Sequence, residues 1–237
     1  MLKLSTILAS AALAVTVAVA AQPAMPVASA AANGKTLVVP SADQAKGTVY
    51  YALTARDRQI YFESNAPLED IKGQSNKVIG YAVLSQIRPG TIVAGEWHLP
   101  VSSMKTGIEL RDEHLVGEDW LDAESHPNII VQVRELKNAG QTKSSAAFSS
   151  YSGTIVADLT LHGVTRTIEI PESTVTVMPE SDATRKVAKG DLMAIRSNFT
   201  VTLADYGVSH PVIGEKVAKD VEIDVSLYLS TLPPERQ

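Results

Sequence analysis

The sequence predicts an all-β fold, with about eight to ten short antiparallel strands behind an apolar N-terminal segment and one short helical interruption. Three observations predict it. Beyond Lys35, apolar residues recur at every second position, the spacing at which side chains alternate across a strand. Clusters of glycine, proline and asparagine punctuate these runs. Only the stretch from Thr106 to Ser125 leaves the period of two.

At the N-terminus, Lys3 precedes the uncharged run Leu4 to Ala20, the pattern of a secretory signal. The Ala-x-Ala spacing that cleavage requires is provided at Ala18-Val19-Ala20 and at Ala28-Ser29-Ala30. Residues 1–30 therefore read as signal peptide and small-residue linker, and residues 36–230 as a single barrel domain. The run is shorter than the roughly 20 strongly apolar residues of a membrane span, and no basic stop-transfer cluster follows it. No stable span is expected after cleavage, and the domain is expected to be periplasmic or secreted.

The C-terminal half alternates most cleanly. Ile155, Ala157, Leu159 and Leu161 share one face, and Asp158 on the other meets water. Met193, Ile195, Phe199, Val201 and Leu203 oppose Ala194, Arg196, Asn198, Thr200 and Thr202, with Ser197 as the one lapse. Val221, Ile223, Val225, Leu227 and Leu229 form the last dry face. Earlier runs follow the same rule: Val49, Tyr51 and Leu53; Ile60 and Phe62; Val78 to Ser85; Val93, Trp97, Leu99 and Val101; Ile129, Val131 and Val133. Turns are expected at Asn65-Ala66-Pro67, Arg88-Pro89-Gly90, Asn138-Ala139-Gly140 and His162-Gly163. Strands of this kind pair as a sandwich or close as a barrel, and closure leaves no open edge. Within Thr106 to Ser125, Ile108, Leu110, Leu115, Trp120 and Leu121 recur at helix-like spacing. Gly117 splits them into two short helical turns laid across one end.

Composition excludes several functions. Lys+Arg 21 against Asp+Glu 26 leaves a net charge of −5, which offers no cationic field for nucleic acid. With no cysteine, there are no thiolate metal sites, iron–sulfur clusters, cysteine nucleophiles or disulfides. No Gly-x-Ser-x-Gly, no paired histidines around a glutamate and no phosphate-cradling glycine loop occurs. The densest polar group is Glu109, Arg111, Asp112, Glu113 and His114. It reads either as ties from the helical segment to the barrel rim, or as acid/base or metal chemistry. The second reading is a hydrolase or isomerase using His114 with Asp112 or Glu113, or an ion held with His98 or His126. Neighbouring residues on a helix diverge by about 100°, which favours the structural reading. No enzyme, cofactor or metal site is expected.

The order of motifs Thr106-Gly107-Ile108, Arg111 to Leu115, Trp120-Leu121-Asp122 and His126 to Ile129 resembles the YceI-like family of bacterial periplasmic lipid-binding proteins. Gly153 to Ile170, Phe199 to Gly207 and Val221 to Leu229 follow in the family's order. The N-terminal hairpin, from Tyr61 to Glu69, departs from the family pattern. The resemblance implies an antiparallel, lipocalin-like β-barrel without catalytic activity, holding a long polyisoprenoid, quinone-type or fatty-acyl chain. Homodimers occur among similar proteins, and the acidic exterior neither requires nor forbids one.

On that reading the chain contacts are Trp97, Leu99, Met104, Ile108, Leu115, Trp120, Ile155, Leu159, Ile195, Phe199, Val201, Ile223 and Val225, with Arg111 and His114 near the head group. A filled barrel with a metal-binding or purely structural role is the alternative, because a barrel of eight strands has room either for its own side chains or for one slender ligand.

Overall fold

The computed structural model describes residues 36–53 and 58–234. The expected signal peptide and both candidate cleavage sites lie outside the described residues. Among these residues, ten antiparallel strands form one sheet: β1 Gly47–Ala52, β2 Ile60–Asn65, β3 Asp70–Ser75, β4 Ile79–Ser85, β5 Ile92–Pro100, β6 Asn128–Ser144, β7 Ser149–Leu161, β8 Val164–Met178, β9 Leu192–Thr202 and β10 Asp220–Ser230. Eight of them close a barrel in the order β1-β4-β5-β6-β7-β8-β9-β10, and β1 pairs back onto β10.

The closing seam has two storeys. Tyr51 and Ala52 of β1 pair with Ser230 and Leu229 of β10, while further along β10, residues 222–225 pair with β2 instead. β3 lies beside β2 and bridges through Gln74 to Lys105, beyond the end of β5. The β2–β3 hairpin therefore prolongs the barrel wall past the point where β1 and β4 stop. Buried Gln59 satisfies the backbone at this break: its side chain donates to the Leu53 carbonyl at 3.1 Å and accepts from the Val78 N–H at 2.8 Å. Unpaired backbone groups in such a place would cost heavily.

The inward faces on β7, β9 and β10 are those expected from the period of two. Ser197, the lapse in β9, points inward and donates to Ser173 at 2.9 Å, and Ser173 donates to the Ile170 carbonyl at 2.9 Å. The hydroxyls thus satisfy each other inside an apolar wall.

Three expectations need correction. On β1, Tyr50 and Ala52 face the barrel core, while Val49 and Tyr51 pack outside with Tyr81, Val83, Val93 and Ala94 beneath Leu37 and Val39. The short helix α1 (Ser41–Gln44) anchors that outer cover, and the Tyr81 hydroxyl donates to Asp43 at 2.8 Å. Strands buried on both faces lose the contrast on which a period-two reading depends. Asn138-Ala139-Gly140 is not a hairpin turn but a bulge within β6: the register slips between Lys137 and Gly140, and Asn138 takes φ 54°. Bulges call on the same residues as turns. The helical segment forms one helix, α2 (Glu109–Val116), and then hydrogen-bonded turns, because the chain at Gly117 is extended.

Candidate ligand cavity

One half of the barrel is filled and the other is hollow. Ile92, Leu136, Val175, Met193 and Leu229 pack the β1 end and are at most 1% exposed. One step along β9 and β10 from Met193 and Leu229, the inward residues Ile195 and Leu227 border a cavity of about 610 Å³, within the range of small-molecule sites. From Ile195 on β9 to Leu203 just past its end the lining spans eight residue steps, about 26 Å of extended chain, or roughly 20 Å of depth at the usual barrel tilt. The space is long and narrow.

Its wall is aliphatic and aromatic. Every apolar position assigned to it from the sequence borders it: Trp97 and Leu99 on β5, Met104 beyond, Ile108, Leu115 and Trp120 on the covering segment, Ile155 and Leu159 on β7, Ile195, Phe199 and Val201 on β9, Ile223 and Val225 on β10. Ala157 belongs to the packed core and not to this lining. Sequence reasoning missed Ile60, Phe62 and Ile71 of the β2–β3 hairpin, and Val208, Val212, Lys216 and Val217 of the segment between β9 and β10. The hairpin's alternation was visible, but its place on the wall depends on the break at Gln59. Nothing local to residues 208–217 marks them as a rim.

Apart from Ser64 and Ser197, which are hydrogen-bonded within the wall, the polar lining residues gather at the open end. Thr106, Arg111 and His114 come from the cover, Glu69 from the β2–β3 turn, and Lys216 from the opposite rim. Ile108 and Leu110 border the same opening and are half or more exposed. Arg111 is held by an ion pair with Glu69, which ties α2 to the hairpin. Trp120 stacks on His210 with ring centroids 4.7 Å apart, tying the cover to the other rim.

Asp112 is buried beneath the cover, where it accepts from the Thr106 N–H at 2.6 Å and hydroxyl at 2.7 Å. Burial raises its pKa, but these bonds and nearby Lys105 and Arg111 outweigh that and hold it below its ordinary value. Asp112 is therefore bonded to Thr106 and not to exposed His114, so the two form no acid/base dyad. His98 bonds to Glu96 at 2.7 Å, away from Asp112. His126 lies with Asp122 and His162, a grouping the sequence reading did not assemble.

A model of the YceI-like domain matches residues 51–229. The chain belongs to the YceI-like family. Among solved structures, it is similar to a polyisoprenoid binding domain from Saccharophagus degradans implicated in plant cell wall breakdown, with TM-score 0.53 and 16% identity over 78% of this chain and 99% of that one. Similar too are BcnA of Burkholderia cenocepacia (TM-score 0.49, 15% identity, 71% and 94% covered) and a YCEI protein of Campylobacter jejuni (0.48, 15%, 69% and 86%). No curated protein matches. At these identities the likeness shows the fold. No helix among the described residues of this YceI-like barrel is long and apolar enough to cross a membrane.

Proposed function

We propose that this YceI-like protein is an exported, non-catalytic binder of one long apolar chain, taken tail-first into the barrel. The observation that carries this reading is the long cavity, apolar along its depth apart from the hydrogen-bonded Ser64 and Ser197, with its charged side chains at the open end. Such a gradient fits an amphiphile. The tail lies against Trp97, Leu159, Ile195 and Val201, and the head group lies near Arg111, His114 and Lys216.

The energetics are adequate. Ten buried methylenes contribute about 8 kcal/mol, enough for micromolar binding when the site is preformed. The walls are strands of a closed barrel, so little ordering accompanies binding. The polyisoprenoid named for the Saccharophagus domain supports the same ligand class here. A branched polyprenyl or quinone tail and a straight acyl chain both offer the methylene-rich surface this wall would grip. Residues 1–30 serve in this reading as the export signal, which places the protein in the periplasm or outside the cell.

Native mass spectrometry of protein purified from its own compartment tests the proposal. A single co-purifying lipid at one per chain is expected. Ligand-free protein that takes up neither polyprenyl nor acyl chains would instead support a barrel with no chain-binding role.

A further inference from the structure

We infer that Asp122, His126 and His162 form a site for one divalent transition-metal ion of the zinc type, which joins the segment covering the cavity to the β7–β8 hairpin. One ligand atom from each residue lies within 4.8 Å of the others, and all three residues are partly buried. Two come from the turns after α2, and the third from the hairpin tip between β7 and β8.

Each side chain is held in place by something other than its partners. His162 Nδ1 lies 3.2 Å from the Tyr206 carbonyl. A carbonyl only accepts, so Nδ1 carries the hydrogen and Nε2 keeps the lone pair, the arrangement found in ligating histidines. The His126 ring rests against the Gly163 backbone so closely that a Cβ there would come within 2.5 Å of its Cε1. The two rings stand nearly perpendicular, with centroids 5.3 Å apart. Asp122 Oδ1 accepts from the Ser125 N–H at 3.2 Å, and the Ser125 side chain also bonds this carboxylate. Among the described residues, no hydrogen bond joins the carboxylate to either imidazole or one imidazole to the other.

Two of the three residues also adopt left-handed backbone. Asp122 has φ 45° and His162 φ 49°. His162 and Gly163 form a two-residue hairpin in which Leu161 pairs with Val164, and Asn or Asp is the ordinary residue at that first position. An imidazole has been placed where a turn former would serve.

The donor set selects the ion. Two neutral imidazoles and one carboxylate suit zinc and its transition-metal neighbours and not calcium or magnesium, which take oxygen ligands. Three protein ligands leave one position for water. Bonds of about 2.0–2.2 Å require the donors to draw together by roughly an ångström, within the reach of side-chain rotation. Bound there, the ion would cross-link the cover to the barrel rim whether or not the cavity holds a chain.

The test uses the purified full chain, stripped with a chelator and titrated with Zn²⁺ by calorimetry and with Co²⁺ by visible absorption. Asp122→Asn and His162→Asn keep a residue suited to left-handed backbone, and His126→Ala removes the other ring. The expected result is one Zn²⁺ per chain, a higher Tm with the ion, and Co²⁺ bands of a four- or five-coordinate site. Each variant should lose affinity by no less than the roughly 10–100-fold that loss of an outer-shell partner costs. If a variant misfolds, wild-type NMR decides: Zn²⁺ should shift the His126 and His162 ring protons and leave those of His98, His114 and His210 in place. No binding at micromolar Zn²⁺, wild-type affinity in the variants, no change in Tm with the ion, or shifts confined to the other histidines would overturn the site.

Discussion

The backbone N–H of Val78, just before β4, donates to the side-chain oxygen of Gln59 at 2.8 Å. The Gln59 side-chain nitrogen donates in turn to the carbonyl of Leu53, just past the end of β1. One buried side chain therefore closes both breaks through which β2 and β3 take over the wall from β1 and β4. Replacing it with an apolar residue of similar size, Gln59→Leu, leaves two buried backbone groups unpaired, at about 1–3 kcal/mol each. Urea unfolding should show a loss of about 2–6 kcal/mol. A loss below 0.5 kcal/mol would mean that water or another group satisfies the break.

The cavity wall predicts a side-specific charge effect. Leu159→Asp or Val201→Lys places a charge in the aliphatic lining and should abolish chain binding. Asp158 sits on the outer face, bonded to Arg134 at 2.8 Å and Thr167 at 2.6 Å, so Asp158→Asn should leave binding unchanged. Circular dichroism of each variant separates lost binding from lost folding, and a displacement assay with a fluorescent acyl chain reads the affinity.

The floor sets the length of chain accepted. Met193 is fully buried on the filled side of the floor, and Ile195 is on the open side. Met193→Ala should lengthen the cavity and favour longer chains, at a stability cost of about 2–5 kcal/mol. Ile195→Phe should shorten it and favour shorter ones. Affinities across a series of acyl lengths check both, and the two preferences should move in opposite directions.

On the outer face, His98 donates to Glu96 at 2.7 Å and Gln132 donates at 3.3 Å. The His98 bond, opposed by burial and supported by Gln132, holds the Glu96 pKa below its ordinary value. A depressed carboxylate contributes stability that is full above the unfolded pKa, about 4.3, and is lost as pH falls through the lower folded value. Wild type should therefore lose stability on acidification below about pH 4.3 that Glu96→Gln does not lose. Unfolding midpoints from pH 7 to 3 measure the difference.

Most of the barrel was legible because β7, β9 and β10 each have one dry and one wet face, and period two marks such strands directly. The lining residues followed from the same faces once closure was assumed. β1, β4 and the start of β5 were not legible in this way: Val49 and Tyr51 are apolar because Leu37 and Val39 cover them, a contact between distant segments that no local pattern encodes. The rim residues Val212 and Lys216, the Arg111–Glu69 tie and the meeting of His126 with His162 are long-range outcomes of the same kind. The bulge at Asn138 was misread because bulges and turns draw on one residue vocabulary.

The two tryptophans of the chain, Trp97 and Trp120, both line the cavity, so the protein carries its own reporter of occupancy. The most direct test of chain binding is the quenching of their fluorescence in delipidated, folded protein by a brominated acyl chain, which quenches on contact. The account predicts saturable quenching at one chain per protein with a micromolar midpoint, reversed by unlabelled polyprenyl alcohol. Tryptophan emission unchanged by brominated chains at concentrations well above micromolar, in protein shown to be folded, would contradict it.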